Sequence, residues 1–219
     1  MQPEEQTALA IAVAGRLVDM IALARMGERD RSRAEALGVT LVALAPSAVA
    51  DPAAFVQAFG ALATALAGGG DAAVVGSHIA TVLGEIDIEY GFPAALAAVL
   101  AGAYCACLIR TDYPAQPDAA AARDLVRVLA RRIGEPLGDA LGFVAADAFD
   151  LMTGQTAVEL SRIAASRAPL VRVETGISLP STLLAWELYE DPERAGELVE
   201  RNRVSTPMLM PVAIEALAR

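Results

Sequence analysis

Apolar residues recur at steps of three and four along most of the chain, a spacing that predicts one helix after another. Over about residues 5–26, Leu9, Val13, Leu17, Met20, Ile21 and Ala24 fall on one face. Gly27 breaks the pattern, and residues 28–37 form a charge-dense helical turn or loop that ends at Gly38. The apolar run at residues 39–44 stops before Pro46; periodicity alone does not separate strand from helix there, and the helical surroundings favour helix. Asp51-Pro52 supplies an N-cap and a first-turn proline, so a helix is expected from there to about Ala67. Gly68-Gly69-Gly70 reads as a flexible linker, because three glycines do not stay helical cheaply. Asp71 caps a further helix to about Leu83. An acidic connection through Glu85, Asp87 and Glu89 then leads into 20 uncharged residues at 90–109. That segment has the length of a membrane span, yet Gly91, Pro93, Gly102 and its alanines dilute its hydrophobicity. It is expected to be the buried central helix, without stable membrane insertion.

Residues 111–118 form a loop by composition, and Asp118 starts an amphipathic helix with Leu125, Val128, Leu129 and Ile133 inward. Its outer face carries Arg123, Asp124, Arg127, Arg131 and Arg132. Helices over about residues 137–152 and 156–167 complete an all-helical region of about seven helices, expected to occupy residues 1–166. The pattern then changes. Residues 170–174 alternate β-branched and charged side chains, as a strand does, and Gly176 ends them. Pro180-Ser181 opens a helix through Tyr189, Asp191-Pro192 opens another to about Arg201, and residues 214–217 return as a second strand. The fold class expected is mostly α, with a helical N-terminal region and a small C-terminal α+β domain of β-α-α-β order at residues 167–219.

Composition narrows the function. The chain of 219 residues is 55% hydrophobic but only 5% aromatic, and its 48 alanines suit closely packed helices. The formal charge of -10 repels nucleic acid and anionic membranes. All 17 basic residues are Arg, which excludes a P-loop lysine and a Schiff-base lysine. The first residues, Met1-Gln2-Pro3-Glu4-Glu5, lack the basic start of an export signal, so no Sec export is expected.

Chemistry-bearing residues are sparse. Cys105 and Cys107, two apart on a helix, point in different directions and are expected to be small buried residues. His78, the single histidine, stands without clustered carboxylates or thiols and reads as a helix-end donor. Glu85, Asp87 and Glu89 could be paired carboxylates for glycan hydrolysis, but acids in an interhelix connection are ordinarily solvated. Neither an enzyme nor a bound cofactor or metal is expected. In the C-terminal part, Leu183, Leu184, Trp186, Leu188 and Leu198 are spaced to form a two-helix core, with Tyr189 at its edge. Asn202 is expected to end the second helix in a left-handed conformation. Trp186 could alternatively stack on a sugar, and Asn202 could lie in a glycan-contacting groove.

The run from Val173-Glu174-Thr175-Gly176 through Ser181–Tyr189, Asp191–Ala195 and Glu197–Asn202 resembles a LysM module. More narrowly, Tyr189-Glu190-Asp191-Pro192-Glu193-Arg194-Ala195 and Arg201-Asn202-Arg203-Val204, behind a Leu-rich helix, are similar to the C-terminal end of Mu-like bacteriophage tail proteins of the DNA circularisation family. The likeness covers residues 165–210, about a fifth of the chain. Glu190 stands where that family has Gly, and the tail at Thr206–Pro211 differs from the family's. The family's β-rich N-terminal domain is replaced by helices. The resemblance implies a structural role in a phage tail, assembled in the bacterial host cytoplasm. Its implied partners are tube, hub and tape-measure proteins, and further copies of itself in a three- or sixfold ring. Arg127, Arg131, Arg132, Arg194, Arg201 and Arg203 are the side chains expected to meet partners. Two other roles follow from the same residues: a peptidoglycan-binding LysM-type module, or a DNA-handling protein, the latter disfavoured by the charge.

Overall fold

The computed structural model describes residues 2–88 and 91–218. It is 75% helical, with nine α-helices and a two-stranded antiparallel sheet near the C-terminus among the described residues. The chain divides into two units, Met1–Asp112 with Ala122–Leu160, and Tyr113–Ala121 with Ser161–Arg219.

In the first unit, α1 (Pro3–Leu23), α2 (Glu28–Leu44), α3 (Pro52–Gly69), α4 (Ala72–Glu85) and α5 (Gly91–Arg110) precede α6 (Gln116–Leu141) and α7 (Phe143–Ser166), which pass into the second. The Asp51 side chain accepts from the Ala54 amide at α3, and Asp71 accepts from Ala73 and Val74 at α4, so both expected caps form. The core gathers Leu17 of α1, Leu41 of α2, Phe55, Phe59, Leu62 and Leu66 of α3, Ile79 of α4, and Leu96 and Leu100 of α5, all fully buried. α5 packs against α3 and α4 and is the central helix expected. Tyr90 and Glu89 lie outside the described residues.

Several boundaries differ from expectation. Gly38 does not end a charged loop; α2 runs unbroken through it. A side chain there would press at 3.2 Å on Ile21 and Val18, so the glycine serves close approach of α1 and α2. The residues 68–70 are not a flexible linker. Gly68 and Gly69 finish α3, and a Cβ on Gly70 would lie 2.7 Å from Val75 Cγ2 and 2.9 Å from the Leu66 carbonyl oxygen. Around this corner the Asp71 amide donates to the Ala24 carbonyl at 2.7 Å, and Arg110 donates to the carbonyls of Ala67 and Gly70. The arginine thereby satisfies orphan acceptors at the end of α3. α6 continues through Pro136 to Leu141, and the break falls at Gly142, whose φ of 88° favours glycine. α7 is then one helix, not two.

The inward face of α6 in this unit is Ala122, Val126, Leu129, Ile133 and Leu137, whereas Leu125 and Val128 are 51% and 62% exposed, against expectation. The apolar stripe is thus rotated by about one residue toward the alanines, which pack closely without reading as strongly hydrophobic.

The second unit has its own core of Leu184, Ala185, Leu198, Met210, Ile214 and Ala216. β1 (Leu170–Glu174) pairs antiparallel with β2 (Ala213–Leu217), Leu170 opposite Leu217 and Glu174 opposite Ala213. Between them lie α8 (Ser181–Tyr189), a short 3-10 turn (Pro192–Arg194) and α9 (Ala195–Arg201), which gives the expected β-α-α-β order. Leu188 and Tyr189 pack against the core, but Leu183 and Trp186 do not belong to it: they are 42% and 56% exposed. α8 turns Ser181, Leu184 and Ala185 inward, so its neighbours at 183 and 186 face out.

Candidate interaction surfaces

The chemistry-bearing residues do not converge. No group of three His, Cys, Asp or Glu suited to a metal occurs among the described residues. His78 lies within α4, not at a helix end. Glu85 pairs with Arg16 at 3.2 Å, and Glu89 is outside the described residues. Ile86 and Ile88 are buried while Glu85 and Asp87 are exposed, so the alternation there is that of an extended connection anchored by its isoleucines.

Cys105 and Cys107 are buried free thiols facing different helices: Cys105 lies against Thr156 of α7, and Cys107 against Gly76 of α4. Burial pushes the Cys107 thiol from 9.0 up to about 11, partly offset by Arg110. The folded state therefore holds a neutral thiol that the unfolded chain ionises first. The stability this gives is fully present below pH 9.0 and is lost as pH rises toward about 11. Urea unfolding at pH 8 and pH 10 should show the loss, and Cys107→Ala should flatten it.

The arginines expected to meet partners have distinct surroundings. Arg127 pairs with Asp124 at 3.0 Å on the exposed side of α6, and Arg131 is exposed beside it. Arg132 donates to the carbonyls of Leu83 and Ile86, 3.1 and 3.4 Å away, at the end of α4. In the second unit Arg194 donates through Nε and Nη2 to Glu197 Oε2, at 3.0 and 2.7 Å, and stacks 3.7 Å above the Tyr189 ring. Tyr189 Oη accepts from the Leu217 amide at 3.0 Å, so this stack ties α8 to β2; burial raises the phenol pKa. Arg201 is only 11% exposed and lies 4.0 Å from both Asp118 and Glu197. It is a largely buried charge set between two carboxylates.

Asn202 does not take the left-handed conformation expected of it; its φ is -87°, and Arg203 takes that role at 52°. The amides of Arg203 and Val204 donate to the carbonyls of Glu200 and Val199, closing a Schellman turn in which the left-handed position usually holds glycine. The Asn202 carboxamide instead joins α9 to β2. Nδ2 donates to the carbonyls of Leu198 and Glu215, and Oδ1 accepts from the Glu215 amide, all within 2.8–2.9 Å. Glu190 is likewise left-handed, φ 57°, directly after α8. Glu190→Gly should raise stability by about 0.5–1 kcal/mol by relieving that backbone, as read by the urea midpoint of Trp186 fluorescence.

Large apolar side chains remain exposed in both units. On α7, Val144, Leu151 and Val158 recur at seven-residue steps on one face, and all three are exposed. In the second unit, Ile177, Leu183, Trp186, Met208 and Leu209 are exposed; the Ser181 amide donates to the Pro207 carbonyl and the Met210 amide to that of Leu179, holding these two segments together. Among the described residues three helices, α1, α3 and α5, are long and apolar enough to cross a membrane by length and composition, whereas the sequence pattern singled out only the last. The exposed positions of α3 are Pro52, Ala53, Gln57, Ala61, Thr64 and Gly68, and those of α1 include Arg16 and Asp19. No protein-family model matches the chain, and no curated protein matches it.

Proposed function

We propose that the chain is a structural component of a bacteriophage tail, an adaptor or assembly protein of the baseplate hub or tube end that docks neighbouring tail subunits. The observation that carries this reading is the C-terminal unit. The residues bearing the resemblance fold in β-α-α-β order, and Glu190, standing where the resembled family has Gly, adopts a left-handed conformation suited to Gly. The exposed stripe on α7 and the patch around Trp186 supply apolar surface of the kind that partner subunits cover. A membrane-spanning role fits less well, because the large side chains of α3 point inward and its outer face is small or polar. Mixing the purified chain with isolated tail tubes and sedimenting them tests the reading. Co-sedimentation that Leu209→Asp weakens is expected, and a chain left in the supernatant would count against it.

A second reading is a peptidoglycan-binding LysM-type module, and the exposure of Trp186 favours it, since an accessible indole can stack on a sugar. Pull-down with purified cell walls separates the two. Retention lost in Trp186→Ala would favour wall binding over tail assembly.

A further inference from the structure

We propose that the outer edge of β1 docks a second copy of this chain, the two β1 strands pairing antiparallel across a two-fold axis and joining their small sheets into one. The pairing of β1 with β2 uses one edge of each strand. Bonds at either end of that ladder, from the Ala218 amide to the Pro169 carbonyl and from the Thr175 amide to the Val212 carbonyl, fix its phase. Bonded residues alternate along an antiparallel ladder, so Val171 and Val173 turn their amides and carbonyls to β2, while Leu170, Arg172 and Glu174 turn theirs away.

The two outer edges of this sheet are treated differently. On β2 the Glu215 amide donates to Asn202 Oδ1, the Glu215 carbonyl accepts from Asn202 Nδ2, and the Leu217 amide donates to Tyr189 Oη. The second unit thus covers that edge with its own side chains. On β1 the cover reaches only Ala168, whose carbonyl accepts from the Gln116 amide at 3.0 Å. Beyond it the outward amides and carbonyls of Leu170, Arg172 and Glu174 have no partner among the described residues, and Val171, Arg172 and Glu174 are exposed. An open edge of this kind is a template for another strand.

The side chains select which strand. Registers centred on Arg172 or on Glu174 set like charges face to face, and one centred on Val171 brings Glu174 to Ala168, whose carbonyl is already bonded. The register centred on Val173 places Arg172 opposite Glu174 of the second copy at both symmetry-related sites. Arg172 then stands between that glutamate and Glu215, its neighbour across the ladder within the chain. Alone, Arg172 and Glu174 lie 3.6 Å apart on one strand with side chains 73% and 71% exposed, so a loose pair is exchanged for an opposed one. This self-complementarity favours a second copy over a strand from another protein. Both copies carry a formal charge of -10, but at about 0.15 M salt that general repulsion is screened beyond about 8 Å, which leaves the charges at the contact to decide.

Sedimentation equilibrium of the full chain over a range of concentrations at about 0.15 M salt, with amide hydrogen exchange followed by NMR, tests the pairing. A monomer–dimer equilibrium is expected, with the Arg172 and Glu174 amides slowed as concentration rises. Arg172→Glu and Glu174→Arg should each weaken dimerisation about tenfold, because each sets like charges opposite one another at both sites. An equimolar mixture of the two variants should pair as tightly as the original chain, since each supplies the charge that the other lacks; mixing does not rescue a misfolded variant. Dimers indifferent to both charge reversals, a mixture no tighter than its components, or a monomer at every concentration would overturn the proposal. Slowing of these amides only after tail tubes are added would overturn the second copy in favour of a strand from another protein. The pairing does not rest on the tail reading: a ring that leaves these amides fast would overturn the pairing alone, and a dimer that ignores tail tubes would count against the tail reading alone.

Discussion

Phe55→Ala is expected to cost the helical unit about 3–5 kcal/mol, a large share of the stability of an ordinary domain. Phe55 is fully buried, with its ring centroid 6.1 Å from that of Phe59 and 5.9 Å from that of Phe92. Truncation removes the ring that joins α3 to the start of α5 and leaves a cavity that two other rings border. In a chain with so few aromatics, the alanine-rich neighbours have no long side chains to collapse into it. Far-UV circular dichroism in urea should show the helical transition move to lower denaturant. Fluorescence of Trp186, the chain's single tryptophan, reports the other unit and should move much less. Equal shifts in both signals would mean that the two cores unfold as one.

Gly70→Ala is the second large effect, expected at about 2–3 kcal/mol. The added methyl would stand 2.7 Å from Val75 Cγ2, 2.9 Å from the Leu66 oxygen and 3.0 Å from the Ala24 oxygen. The last two are backbone carbonyl oxygens already engaged, that of Leu66 accepting from the Gly70 amide at 2.9 Å and that of Ala24 from the Asp71 amide at 2.7 Å. Relief therefore requires moving helix ends rather than a side chain. Gly68→Ala, two residues earlier, meets nothing within 4 Å and lies inside α3, so it should stabilise by about 0.5–1 kcal/mol. Opposite signs at glycines two residues apart distinguish a packed corner from a linker, in which both substitutions would be nearly neutral. Thermal or urea midpoints of the two variants provide the comparison.

The C-terminal module was the most legible part of the chain because its boundaries are written in strong local signals. Proline at 180 and 192, Asp191 as a cap and the alternation at 170–174 each act within a few residues, and the observed α8 and β1 follow them closely. The helical unit was less legible because its code is alanine and glycine. Alanine has little weight in a hydrophobic pattern, so the face of α6 centred on Ala122 and Val126 was displaced toward the bulkier Leu125 and Val128. Glycine reads as a break, yet at 38, 69 and 70 it marks places where another element comes near.

At the candidate site, residue type misled by one position. Asn tolerates the left-handed conformation better than Arg, but the Asn202 side chain is consumed by three hydrogen bonds to α9 and β2, which leaves the turn to Arg203. The spacing of Trp186 with Leu183, Leu184 and Leu188 predicts a place in the core that the structure does not give it. The small Ala185 and the inward Leu184 fill the available space, and the indole is left at the surface. Arg172 lines one pocket with Arg201 and Arg203, which the sequence did not show, because only the pairing of β1 with β2 brings it there.

The central claim is that this chain works by assembling. Light scattering on the purified full-length chain, followed by negative-stain images of the same fractions, tests it most directly. The account predicts a discrete closed ring of three or six copies. A monodisperse monomer at every concentration, with no ring-shaped particles in the images, would contradict it.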